Sequence, residues 1–198
     1  MKIDKRFLKP SFYKYNKKEC DRLIKTDLDF LSDFGGRNGI LSKGDKQSIE
    51  VKYLRYFRKC QANKGNIWWK IFRKLMIRIQ NRYGMEFPTN LNIGEGIIIG
   101  HWGRIVINPE TTFGDHIFLT HNVTIGRDVR GKRAGTPKIG NKVCIRTNST
   151  ITGNITIGDD VLIAPNTFVN FDVPSHSVVV GNPASIHHKD NATEGHII

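Results

Sequence analysis

Residues 139–173 read IGNKVCIRTNSTITGNITIGDDVLIAPNTFVNFDV, and they count in sixes. An aliphatic residue returns at Ile139, Ile145, Ile151, Ile157, Ile163 and Val169 without a slip. The fourth residue after each is Val143, Ser149, Ile155, Val161, Thr167 and Val173, all small or β-branched. A helix repeats near 3.6 residues and a strand near 2, so neither explains a period of six. Short strands joined by tight turns do. Three hexads close one triangular coil, and coils stack at about the 4.8 Å strand spacing. The aliphatic position fills a corner of the resulting prism. The position four later faces a narrow centre and must be slim.

Upstream the same count is interrupted. Phe113, Leu119 and Ile125 keep it, and hexads begin at Ile93-Gly94 and Ile99-Gly100. A shift of two residues falls by Arg104, and the register resumes at Ile107. Residues 127–138 (RDVRGKRAGTPK) carry no periodic apolar residue and read as an inserted loop. Glycines follow the corner position at Gly94, Gly100, Gly114, Gly126, Gly140 and Gly158. Positive φ or a close backbone approach is predicted there.

Residues 1–85 have a different texture and read as helical. They hold 22 Lys/Arg against 8 Asp/Glu, whereas residues 86–198 hold 9 against 10. The basic excess therefore belongs to the first part, and it suits an anionic partner or a solvated surface. Asn16 to Ser32 has apolar residues near a 3.6 period. Residues 33–39, with Gly35, Gly36 and Gly39, break it. Ser48 is a predicted N-cap for a helix through Cys60. Asn66 to Tyr83 places Trp68, Phe72, Leu75, Met76 and Ile79 on one face and Lys70, Arg73, Lys74 and Arg78 mostly on the other. That helix packs on its neighbours or lies on an anionic membrane surface. Three scattered cysteines and no secretory-type leader predict a reducing, cytoplasmic setting. No run of residues is apolar enough for a membrane span. No nucleic-acid motif is present.

The hexads of residues 86–186 resemble the hexapeptide-repeat acyltransferases. The resemblance implies a mainly β fold: a left-handed parallel β-helix with an N-terminal α-helical region (1–85) and a tail at 187–198. It also implies a homotrimer. The closing run Val173 to Ala184, with its Gly181-Asn-Pro183-Ala184 turn, is similar to the terminal coil of members that use acetyl-CoA. That likeness implies acetyl-CoA as co-substrate, with contacts at Lys138, Arg146, Ala164, Gly181, Pro183, Ala184 and Lys189, and no metal.

Acyl transfer from a thioester to a hydroxyl requires a general base and oxyanion donors. The segment Ile99-Gly100-His101-Trp102-Gly103 resembles the catalytic segment of serine acetyltransferases, and it sits where the count shifts. His101 is the predicted base. Glu86 falls where that family keeps the aspartate that orients the base. His121, Trp102, Arg130, Arg133 and Thr136 are predicted to bind the acceptor or assist. The chain departs from the family at Gly135-Thr136-Pro137-Lys138-Ile139, where serine acetyltransferases carry Arg-His-Pro-Lys-Ile. Gly100 likewise replaces an acid.

With these departures the chain resembles the serine-acetyltransferase-like O-acetyltransferases of surface-polysaccharide gene clusters, which implies as acceptor a sugar hydroxyl of a surface polysaccharide or a lipid-linked precursor at the inner membrane face. Serine of cysteine synthesis is the alternative acceptor. Two remoter readings are a metal enzyme resembling gamma-class carbonic anhydrases, through His116 and His121, and a non-catalytic trimeric scaffold.

Overall fold

The computed structural model describes residues 17–34 and 40–197. Four helices precede the strands: α1 (Lys17–Asp33), α2 (Lys43–Gln47), α3 (Ile49–Ala62) and α4 (Ile67–Tyr83). The glycines at 35, 36 and 39, predicted to break the first helix, lie outside the described residues, as does Asn16.

The remainder is a left-handed parallel β-helix with three faces. The first stacks β1 (Met85–Glu86), β3 (Ile105–Ile107), β6 (Val123–Gly126), β9 (Thr150–Thr152) and β12 (Phe168–Val169). The second stacks β4 (Thr112–Phe113), β7 (Lys138–Ile139) and β10 (Thr156–Ile157). The third stacks β2 (Ile97–Ile99), β5 (Ile117–Leu119), β8 (Val143–Ile145), β11 (Val161–Ile163), β13 (Ser177–Gly181) and β14 (Ala184–His188). All pairings are parallel except β13 with β14, which ends the prism as a hairpin.

The register carries the two interruptions. Ile105 pairs with Val123, eighteen residues on, but Ile97 pairs with Ile117, twenty on. The two extra residues therefore sit between Ile99 and Ile105, around His101. Phe113 pairs with Ile139, twenty-six on, and Ile139 with Ile157, eighteen on. Eight extra residues thus leave the prism between Gly126 and Lys138. Lys138 itself opens β7, so the inserted loop closes at Pro137. Asp128 and Gly135 exchange backbone hydrogen bonds of 3.0 and 2.9 Å across the base of that loop.

The predicted inward positions are buried. Ile139, Ile145, Ile151, Ile157, Ile163 and Val169 form the core with Val143, Ile155, Val161 and Val173. Ser149 and Thr167 are also buried, and the Ser149 hydroxyl donates to the Ala164 carbonyl at 2.9 Å. Each aliphatic chain so buried contributes about 1.5–3 kcal/mol.

The corner glycines serve close approach and not positive φ. At the edge between the second and third faces, a side chain of each coil caps the backbone N–H of the coil before it. Asp115 Oδ1 accepts from Glu95 N–H, Asn141 Oδ1 from Asp115 N–H, Asp159 Oδ1 from Asn141 N–H and Ser175 Oγ from Asp159 N–H, at 2.7–2.9 Å. A Cβ on Gly140 would stand 2.5 Å from Asp159 Oδ1 and 2.7 Å from the Gly158 carbonyl. Left-handed φ falls elsewhere on the edges: at His116, Lys142, Asp160 and His176 on one, and at Asn122, Asn148 and Asn166 on another. Gly126 has neither constraint.

The helices cap one end of the prism and lie along its third face. Ser48 caps α3 as predicted, its hydroxyl accepting from Val51 N–H. Arg58 of α3 is fully buried and grips Asp27 of α1 with two bonds of 2.9 and 3.0 Å. Its guanidinium also donates to the Gly94 carbonyl at 2.6 Å, and Asp27 Oδ1 accepts from Ile97 N–H at 3.0 Å. α4 packs by Trp69, Phe72, Met76, Ile79 and Tyr83, a clean 3-4-3-4 spacing. Trp68 and Leu75, predicted on that face, stand about a quarter-turn away and are exposed with Ile67 and Ile71. Among the described residues no helix is long and apolar enough to cross a membrane.

The tail turns back onto the third face, and Ile197 joins Phe30, Phe118, Cys144 and Leu162 in a second cluster. Asp160 anchors it, accepting from Ala192 N–H, Thr193 N–H and the Thr193 hydroxyl. Burial alone would raise the Asp160 carboxyl; these bonds and the His176 ring outweigh it and hold the group below the usual carboxylate range.

Candidate active site

The edge between the third and first faces gathers the chemistry. Four strands of the third face, β2, β5, β8 and β11, end there with a backbone bond to the next coil: Gly100 N–H to Leu119 O, Thr120 N–H to Ile145 O, Arg146 N–H to Ile163 O and Ala164 N–H to Val179 O. These bonds stack Gly100, Thr120, Arg146 and Ala164 in one column. His101 and His121 follow the first two members. Their rings meet edge to face with centroids 6.0 Å apart. Gly103 makes this possible: at φ +145° it passes over His121, and a Cβ there would lie 2.8 Å from the His121 Cβ. Gly100 meets the Phe118 ring just as tightly. His101 is exposed, so its imidazole is open to a substrate.

The His101 bulge is held from the helices. Trp102 N–H donates to Glu50 Oε1 at 2.9 Å, and the Tyr83 ring stands edge-on to the Trp102 indole at 5.1 Å. Ile105 N–H donates to the Gly84 carbonyl at 3.1 Å. A cavity of about 130 Å³ lies beside this turn, walled by α1, by Asp45, Ser48, Glu50 and Arg55, and by Ile97 to Gly100. Glu50 and Arg55 carry no signal in the sequence because they belong to no hexad, and only folding brings α3 to the bulge.

The other predicted residues divide among the three edges. Arg146 and Ala164 share the His101 edge, and Arg146 lies over the Phe118 ring at 5.6 Å. Gly181, Pro183 and Ala184 form the hairpin turn at its far end, where Gly181 N–H donates to the Thr167 hydroxyl at 3.1 Å. Trp102 is beside His101 and exposed. Glu86 is exposed in β1, opposite Val106 in register, and makes no hydrogen bond to His101.

Arg130, Arg133, Thr136 and Lys138 belong to the loop edge, between the first and second faces. There the Thr136 hydroxyl donates to Glu110 O at 3.2 Å and the Arg133 guanidinium to Asn170 O. Lys189 lies at the third edge, its N–H donating to His176 O at 2.9 Å. One chain therefore assembles His101, His121, Trp102, Arg146, Ala164 and the Gly181–Ala184 turn, and leaves the loop residues and Lys189 apart from them.

His116 and His121 terminate opposite ends of β5 and lie on different edges, so they do not converge on one ion within a chain. His116 packs edge-on against Phe30. Among the described residues no group of three His, Cys, Asp or Glu side chains is arranged to hold a metal.

Comparison with known proteins agrees with this layout. Residues 136–170 match the family model described as bacterial transferase hexapeptide (six repeats). Serine acetyltransferase 2 of Arabidopsis thaliana is 35% identical over 147 residues, which are 70% of this chain and 45% of that protein. The chain thus spans less than half the length of this curated relative. Serine acetyltransferase of Neisseria gonorrhoeae superposes with a TM-score of 0.75 at 23% identity, covering 87% of this chain and 66% of that one. Another solved serine acetyltransferase, in complex with CoA, superposes with a TM-score of 0.67 at 20% identity, covering 86% and 71%. The chain thus carries the hexapeptide repeats of that transferase model over residues 136–170 and has serine acetyltransferases as its relatives and structural neighbours.

Proposed function

We propose that the protein is an acetyl-CoA-dependent O-acetyltransferase that works along the His101 edge. The observation that carries this reading is the pairing of His101 and His121, 6.0 Å apart, at one end of an edge whose other end is the Gly181–Ala184 turn. About four coil spacings separate them, or ~19 Å. An extended pantetheine arm would run along that length past Arg146 and Ala164, with its thioester beside His101 and its nucleotide near the turn.

His101 accepts the proton of the acceptor hydroxyl. The hydroxyl oxygen attacks the acetyl carbonyl, and backbone N–H groups hold the resulting oxyanion. Collapse of that intermediate breaks the C–S bond. The imidazolium returns its proton to the departing sulfur, so CoA leaves as the thiol. The working unit is a homotrimer, in which a neighbouring prism would bring its loop edge, with Arg130, Arg133, Thr136 and Lys138, against this edge.

The acceptor is serine. This departs from the sugar favoured by the sequence motifs, and the relatives support it. The relatives are named serine acetyltransferases.

A sugar acceptor is the second reading, favoured by the loop edge. Gly135 has φ +136°, and a Cβ there would stand 2.9 Å from the Asn154 Cβ, so this backbone admits no arginine at that position. Thr136 is engaged with Glu110. A polysaccharide role and peripheral contact at an inner membrane face go with that second reading.

Release of free CoA thiol from acetyl-CoA, with serine and with a panel of sugars, separates the two. Serine-dependent release is expected. Release with sugars alone moves the assignment to a glycan, and no release with any acceptor contradicts acetyl transfer. The protein's own thiols leave the assay clean. Cys20, Cys60 and Cys144 are buried, and burial pushes Cys60 and Cys144 up to about 12.

A further inference from the structure

We infer that Glu50 is a positioning residue for His101, a role that rests on the acetyl-transfer reading above and gives the helical region a part in it. The bulge between Ile99 and Ile105 has two residues more than the coil it stacks on, so the hexad geometry does not fix it. Its neighbours fix it instead. Trp102 N–H has no place in the strand ladder of either flanking face. It donates to Glu50 Oε1 at 2.9 Å, a bond that joins residues fifty-two apart in the chain.

Glu50 is itself well held. It sits in the first turn of α3, whose start is capped by Ser48, and acidic groups are favoured at a helix N-terminus. α3 in turn is locked to the prism by the buried Arg58 bonds to Asp27 and to the Gly94 carbonyl. A chain of fixed contacts therefore runs from the first coil, through α3, to the amide that follows His101. Tyr83, at the end of α4, closes the other side against the Trp102 ring. Without the Glu50 carboxylate, the bulge keeps its ring contacts, and its backbone is held by Gly100 N–H to Leu119 O and Ile105 N–H to Gly84 O at the two ends. His101 lies on the freed stretch between them.

The consequence is catalytic and not merely structural. A base displaced by about 1 Å costs up to about 10²-fold in rate while leaving coenzyme contacts four coils away intact. Glu50→Ala should lower kcat by about tenfold or more with KM for acetyl-CoA unchanged. Amide hydrogen exchange in the segment carrying Trp102 should become faster. Glu50→Gln keeps a carbonyl oxygen to accept the Trp102 N–H, and should restore both kcat and protection to near the wild-type values.

Wild-type kcat and protection in Glu50→Ala would overturn the inference. So would Glu50→Gln as impaired as Glu50→Ala, because the carboxylate would then act through its charge on α3. His101→Ala serves as the reference. If that variant turns over like the wild type, the acetyl-transfer assignment to this edge fails, and the exchange data alone decide whether Glu50 holds the bulge.

Discussion

Replacing His101 with alanine lowers kcat by about 10²-fold or more while the affinity for CoA survives. The two halves of this expectation have separate causes. On the proposed reading His101 only carries the proton from acceptor to sulfur, whereas the coenzyme would be held along Arg146, Ala164 and the hairpin turn. His121→Ala gives the contrast. Its ring meets His101 edge-on and is half-buried beneath Gly103, the place of a residue that would support the base rather than replace it. Its loss should cost less than the loss of His101. Steady-state kinetics with both variants, together with CoA binding by calorimetry, checks the assignment. An unchanged kcat in His101→Ala, with a collapse in His121→Ala, would exchange the two roles.

Asp27→Ala destabilises the protein by about 3–5 kcal/mol. The Arg58 guanidinium is fully buried and donates two bonds to this one carboxylate. Removing the partner leaves an uncompensated charge in the interior, and also an unpaired Ile97 N–H. The loss reaches beyond α1, because the same guanidinium ties α3 to the Gly94 carbonyl of the first coil. Urea unfolding, read by far-ultraviolet circular dichroism, would show the midpoint fall. A loss under about 1 kcal/mol would mean that Arg58 finds water or another acceptor and that the helical layer is not locked to the prism.

The β-helix is legible in the sequence because its constraint is periodic. A slim residue at every inward position and an aliphatic one at every corner leave a signal that any single hexad would hide. The two interruptions are legible for the same reason, as breaks in a count, and one of them falls at His101. Glycine is less transparent. Its place is evident, but close approach to the Asn141, Asp159 and Ser175 side chains of the following coil, not positive φ, is what excludes a Cβ at Gly114, Gly140 and Gly158. Left-handed φ goes to asparagine, aspartate, histidine and lysine at other edge positions, where composition alone suggests only polar turns.

What the sequence leaves hidden is what tertiary contact alone decides. The apolar face of α4 is rotated slightly from the predicted one because Trp69 and Tyr83 pack inward with Phe72, Met76 and Ile79, while Trp68 and Leu75 do not. Glu50 and Arg58 reach the site and the first coil from a helix whose sequence announces only an amphipathic surface. The sugar acceptor rests on two loop residues that differ from the serine acetyltransferases. The cavity beside Gly100 is formed from helix and strand together and has no signature in the chain.

The most direct test of the account is a crystal structure of the assembled protein with CoA. The coenzyme should lie along the His101 edge, its sulfur beside the His101 imidazole and its nucleotide against the Gly181–Ala184 turn. CoA bound on another edge, or a sulfur remote from His101, would contradict the account.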